Sequence, residues 1–226
     1  MPRVRALAAL LVALAFVPGA GAAPFVVQLG AERIVLEAPP GFSDTGFLGS
    51  PRLQELAEKT TSASNRVLLF AIADADLRRF MAGERMELRR YMVVVTPRGM
   101  ERERVGEAQF RDLVAASLRD LGAIAATPDL RQHLDAQPEA KAVLLAELRR
   151  EPQLVSILQG ARLVAEGGGF FAASRVQYVL ATTTLVLVRG KALQLAVHSA
   201  YDAPQDLEWI TAATARWIEE LLRLNR

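Results

Sequence analysis

The segment RVQYVLATTTLVLVRGKALQLAVHSAY, residues 175–201, limits the fold more than any other part of the chain. Two long β-rich runs flank Arg189-Gly190-Lys191, which predicts a β-hairpin. A hairpin imposes antiparallel pairing, and helices that are segregated from such strands imply an α+β sandwich rather than a doubly wound parallel sheet. Strand alternation places Leu193, Leu195, Val197, Ser199 and Tyr201 on one face. Gln194, Ala196, His198, Ala200 and Asp202 fall on the other. The closing DAPQDLEWITAATARWIEELLRLN repeats Leu207, Ile210, Thr214, Trp217 and Leu221 at helical spacing, a stripe that packs on a sheet, with Trp209 off it and covering its edge. Asp202 with Gln205 has capping-box spacing around Pro204, and Asp206 is an alternative N-cap.

Upstream, FVVQLGAERIVLE (25–37) predicts a hairpin around Gly30-Ala31-Glu32, followed by a proline- and glycine-punctuated loop. Ser50 and Pro51 open a short helix. RVLLFAIA (66–73) and LRRYMVVVT (88–96) read as strands, separated by one or two helical turns or a loop from Asp74. AQFRDLVAASLRDLG places Phe110, Leu113, Val114, Ser117, Leu118 and Leu121 on one helical face. Thr127-Pro128 and Gln137-Pro138 predict two more helix starts. The second continues as PEAKAVLLAELRR, with Glu139 in its first turn and Arg149-Arg150 in its last, as the helix dipole favours. Residues 152–173 carry no readable period, and EGGGF within them lacks the spacing of a phosphate loop and reads as a flexible turn. The expected fold is therefore α+β: an antiparallel sheet flanked by helices in an α/β/α sandwich, with extra helices inserted around 124–160.

MPRVR supplies a basic start, ALAALLVALAFV an apolar run too short to span a bilayer, and PGAGA a break with small residues. This is the pattern of a signal peptide over 1–22, cut after Ala22, leaving 23–226 (226 − 22 = 204 residues) as a single α+β domain. Removing Arg3 and Arg5 turns 27 basic against 25 acidic residues into 25 against 25, so the mature net charge is zero and nucleic-acid binding loses its electrostatic support. There is no cysteine, which excludes disulfides, a lipid-anchored cysteine, thiolate catalysis and cysteine metal sites. After residue 23 no apolar run reaches membrane-span length, so no stable membrane insertion is expected once the signal is removed. The expected location is the bacterial periplasm or exterior.

AVHSAYD (196–202) gathers chemistry-bearing residues in a chain with only two histidines, His133 and His198. Alternation sends His198 and Ser199 to opposite sides, so they cannot act as base and nucleophile for one another. A serine-type hydrolase is the alternative reading, with His198 beside Asp202 and a loop serine such as Ser43, Ser62 or Ser64, but none of these sits in a nucleophile-elbow motif. Two histidines 65 positions apart, with no HExxH or calcium loop, predict no metal site, and no cofactor is expected. Arginine pairs at 78-79, 89-90 and 149-150 could grip a carboxylate or phosphate, although their acidic neighbours favour solvated ion pairs. The candidate binding residues are His198, Asp202, Tyr201 and Arg189, for a ligand or an envelope protein partner.

VLVRGKALQLAV, then the Tyr-Asp loop and the terminal amphipathic helix, resembles the closing unit of the PsbP-type fold. RIVLEAPPGF is similar to the opening of such domains, and AQFRDLVAASLRDLG sits where their central helix falls. The resemblance implies an antiparallel sheet flanked by helices in a mostly non-enzymatic family of accessory or binding proteins, some of them exported from bacteria. It transfers no catalytic residue.

Overall fold

The computed structural model describes residues 23–119, 121–125, 129–165 and 175–226. Strands β1 (Phe25–Leu29) and β2 (Glu32–Leu36) pair as a separate two-stranded ribbon. The main sheet is built from β3 (Phe42–Asp44), β4 (Asn65–Ala73), β5 (Arg90–Pro97), β6 (Val143–Glu151), β7 (Leu154–Ala165), β8 (Arg175–Val188) and β9 (Lys191–Ala200). Their order is β3-β4-β5-β9-β8-β7-β6, antiparallel throughout. All these pairings join consecutive strands except β5 with β9, where Arg90 to Val95 run opposite Ser199 to Gln194. The β8–β9 hairpin closes on the Val188–Lys191 pair through Arg189 and Gly190, both at positive φ (50° and 72°), the twist that a two-residue turn between right-twisted strands requires.

Alternation explains how the two faces are covered. Leu193, Leu195 and Val197 join one core with Ile210, Trp217, Ile218 and Leu221 of the terminal helix, and the ribbon adds Leu29, Ile34 and Leu36. On the opposite face α1 (Pro51–Lys59) sets Leu53 and Ala57 against Phe70, Ile72, Val93, Val95 and Ala196, and α2 (Asp74–Met81) adds Leu77 and Phe80. Further along that face α3 (Glu107–Leu118) lays Phe110 and Val114 on Val155, Ile157, Leu187 and Ala192. The result is an α+β fold with a helix-covered antiparallel sheet, as the hairpin and the amphipathic stripes predict.

The segment 124–160 departs from expectation. Among its described residues one short helix forms, α4 (Leu130–Asp135), with Asp129 accepting the backbone N–H of Gln132 at its start. PEAKAVLLAELRR is not a helix: Val143–Glu151 is the edge strand β6, paired to β7 with two register shifts. Its Ala, Leu and Glu favour a helix locally, yet β7 offers a row of backbone partners that only an extended segment satisfies, and tertiary pairing prevails over propensity. The unreadable stretch contains β7 itself, whereas the Thr127-Pro128 start, the EGGGF turn and the 1–22 segment lie outside the described residues.

The terminal helix α5 (Pro204–Leu224) also begins differently. Ala203 occupies the N-cap, and Asp206 in the first turn accepts the backbone N–H groups of Asp202 (2.9 Å) and Ala203 (3.1 Å). Asp202 is therefore one residue too early to cap. Strand β9 ends at Ala200, so the alternation that placed Asp202 beside His198 does not extend to it.

Between α5 and the sheet, the hydroxyls of Thr182 and Thr214 meet at 2.7 Å, both buried. Thr214 spends its single proton on the Ile210 carbonyl (2.8 Å), so Thr182 is the donor between the two. We expect Thr214→Val to strand that buried donor and to lower the unfolding free energy by about 1–3 kcal/mol. Thr182→Val should cost less, because Thr214 keeps its carbonyl, and the double variant should recover part of the loss. Urea unfolding of the four proteins measures this cycle, and a Thr214→Val protein as stable as the parent would refute the assignment.

Candidate functional site

A cleft of about 740 Å³ opens at the end of the β5–β9 seam. Four pieces of chain meet there. The loop between α2 and β5 brings Arg85, Met86, Glu87 and Arg89, the start of β8 brings Val176 to Tyr178, α4 brings Arg131, and the chain just beyond β9 brings Asp202. The loop is held in place by Asp76, a buried carboxylate that accepts the N–H groups of Glu87 (2.7 Å) and Leu88 (3.2 Å).

Three guanidinium groups face this space. Arg89 pairs with the Asp202 carboxylate, an interaction that holds the Arg89 pKa above its usual value. Arg131 donates to the Asp202 backbone carbonyl while lying 5.5 Å from the Tyr178 ring centroid and 5.7 Å from that of Tyr201, so two aromatic faces fix its position. Arg85 makes no ion pair among the described residues, and Glu87 is matched by Arg79 at 2.8 Å. The Tyr178 hydroxyl donates to Asp135 at 2.7 Å, which together with burial raises its pKa. Beside the cleft, Arg90 reaches Asp206 at 2.8 Å and lies 4.0 Å from the Trp209 ring centroid. Burial pushes the Asp206 carboxyl up, but the two backbone donors and Arg90 outweigh it and hold the group below its ordinary range.

The four residues nominated by sequence separate into three places. Asp202 lines the cleft, whereas Tyr201 is buried behind it and meets it only through the contact of its ring with Arg131. His198 lies on the α1–α2 side of the sheet, stacked on Tyr91 of β5 with ring centroids 4.4 Å apart and planes 10° apart. Tyr91 in turn meets Phe70 at 5.9 Å, an aromatic row across three strands. Arg189 sits at the opposite end of β9, roughly 30 Å away at about 3.3 Å per strand residue. There it donates to the backbone carbonyls of Arg33, Asn225 and Arg226 and fastens the end of α5 to the hairpin turn.

No hydrogen bond joins His198 to Asp202 or to a serine among the described residues. Ser43 donates to Asp74 at 2.7 Å, Ser62 and Ser64 bond each other at 2.9 Å, and buried Ser199 donates to the Ala200 carbonyl. Burial lowers the His198 pKa from 6.5 to about 4, so its imidazole is neutral and a weak base near neutral pH. No group of three His, Asp or Glu side chains among the described residues is placed to hold a metal ion.

Arg85, Arg131 and Tyr178 escape a reading of the sequence because they sit on segments far apart in the chain and meet only through the fold. The pair Arg89-Arg90 is visible as a possible carboxylate grip. Its partners Asp202 and Asp206 lie 113 and 116 positions downstream, so no local charge pattern points to them.

Comparison with known proteins adds little. No protein-family model and no curated protein matches the chain. Among solved structures, the chain is similar to the Saccharomyces cerevisiae Ran-binding protein Mog1p, at 14% identity and a TM-score of 0.36, over 90% of this chain and 93% of that one. It is similar also to a point mutant of Mog1, at 13% identity and a TM-score of 0.35, with the same coverage.

The depressed His198 pKa has a thermodynamic consequence. The unfolded chain takes up this proton near pH 6.5 and the folded chain only near 4, so His198 leaves stability intact above about pH 6.5 and removes it as pH falls toward 4. At about 1.4 kcal/mol per pKa unit the loss reaches about 3 kcal/mol. His198→Phe, which keeps a ring against Tyr91, should lose less stability than the parent between pH 7 and pH 4.5 in urea unfolding. A proton NMR titration placing the His198 midpoint at 6 or above would contradict the burial described.

Proposed function

We propose that this chain is an exported bacterial envelope protein that acts by binding rather than by catalysis, and that the arginine-lined cleft takes an acidic ligand or an acidic segment of a partner protein. The observation that carries the reading is the convergence of Arg85, Arg89 and Arg131 on one cleft beside Asp202, with Arg131 oriented by Tyr178 and Tyr201. Guanidinium groups donate in a fixed fork that matches carboxylate and phosphate oxygens. Asp202 already occupies part of that fork, so an incoming carboxylate would exchange with it, and Arg85 remains available. The absence of a hydrogen-bonded nucleophile and base around His198 among the described residues favours binding over hydrolysis. The signal-like first 22 residues and the zero net charge of the remainder support the envelope assignment, as does the PsbP-type resemblance. Among the described residues no helix is long and apolar enough to cross a membrane.

Two measurements test the proposal. Citrate should raise the melting temperature of residues 23–226 by a few degrees, following the mass-action relation between ligand concentration and stability. That rise should vanish in an Arg85→Ala/Arg131→Ala double variant that otherwise melts normally. An equal rise in parent and variant would show a solvent effect and reject the cleft. For the address, N-terminal sequencing of protein recovered from a periplasmic fraction should begin at Ala23, and a chain retaining Met1 in the cytoplasm would exclude export.

A further inference from the structure

A second concavity, about 440 Å³, lies along α5. Its walls are α5 and the Glu37–Phe42 segment that leaves the ribbon, with Met92 of β5 between them. The chain has two tryptophans, and both line this groove. Trp217 is held by its indole N–H donating to the Glu37 carbonyl at 2.9 Å. Trp209 is fixed between the Phe42 ring, 6.0 Å away, and the Arg90 guanidinium at 4.0 Å. With Pro39 and Pro40 at the edge, the lining is rigid and mainly apolar, a surface that small ligands fill without ordering flexible side chains.

The charged groups at its mouth are unequal. Glu37 and Glu220 are half-buried, whereas Arg216 is exposed and free to turn into water. Both carboxyls line the groove, and burial together with the neighbouring Glu220 raises the Glu37 pKa against the opposing pull of Arg223. Arg223 pairs directly with Glu220 and acts on Glu37 only from beyond ion-pair distance. A second negative charge here is therefore held at a cost that an adjacent positive charge would remove.

We infer that this tryptophan-lined groove is a binding site for a small organic amine or ammonium ion, whose apolar body lies on Phe42, Trp209 and Trp217 and whose cationic head meets Glu37 and Glu220. The Glu37 and Glu220 carboxylates at the mouth set the sign of that head. The site is separate from the arginine cleft and opposite in charge preference, so the citrate response and this one can fail independently.

Because both tryptophans border the groove, the protein's intrinsic tryptophan fluorescence reads occupancy directly. The test titrates residues 23–226 with 3-phenylpropylamine, 3-phenylpropanol and 3-phenylpropanoate, which share an apolar body and differ in charge. The amine should give a saturable change in emission with a Kd at least about tenfold below that of the alcohol, and the carboxylate should bind more weakly than either. Glu37→Gln with Glu220→Gln should bring the amine down to the level of the alcohol while leaving the thermal unfolding cooperative. Equal binding of amine and alcohol, tighter binding of the carboxylate, or no saturable change with the amine would each overturn the inference. Those three results are read on the unmodified protein, so the test stands even where the double variant does not fold.

Discussion

The antiparallel seam between β5 and β9 is the interaction on which the rest of the structure depends. Every other pairing in the main sheet joins consecutive strands and can form locally. The seam alone unites the β3-β4-β5 meander with the β6-β7-β8-β9 meander across about a hundred residues, and closing so long a loop costs entropy that local pairing does not repay. The return comes from both faces at once. Met92, Val94, Leu195 and Val197 are buried on the α5 side, and Val93, Val95 and Ala196 on the α1 side. A central strand pair covered on both faces is the most water-free part of the sheet, where hydrogen-bond and apolar contributions are largest.

Both concavities are organised by this seam. The arginine cleft forms where it ends, and the ion pairs Arg89–Asp202 and Arg90–Asp206 fasten β5 to the chain leaving β9. The tryptophan groove uses Met92 of β5 and the α5 residues that lie over it. Arg90 touches both regions, because it bonds Asp206 near the cleft and covers the Trp209 ring at the groove. One side chain thus contributes to the shape of two neighbouring surfaces of opposite charge character.

Much of this architecture was legible in the sequence. The β8–β9 hairpin, the strands 66–73 and 88–96, the 107–118 helix and the final helix all show the periodicity of one dominant force, burial of an apolar face. The misreading of 138–150 has a physical origin, since an edge strand contacts one neighbour and its composition is little constrained by packing. Ala, Leu, Glu and Arg suited a helix, and the register shifts in β6 record the imperfect fit. The candidate site was only half legible. Tyr201 and Asp202 could be named because they follow a recognisable strand, but Arg85, Arg131 and Tyr178 reach them through the fold, and His198 stacks on Tyr91 through a register that no single segment encodes.

The irregular edge strand bears on self-association. A straight, apolar edge would leave a row of unpaired backbone groups open to a second chain. Here the sheet ends on one side in β3, only three residues long, and on the other in β6, bent by two register shifts and carrying Glu147, Arg149, Arg150 and Glu151. The ribbon is closed in a comparable way: Asn225 supplies an amide that both accepts the Val35 N–H (2.9 Å) and donates to the Val35 carbonyl (2.8 Å), standing in for a neighbouring strand. Poor regularity at the rim therefore disfavours extension of the sheet into another copy.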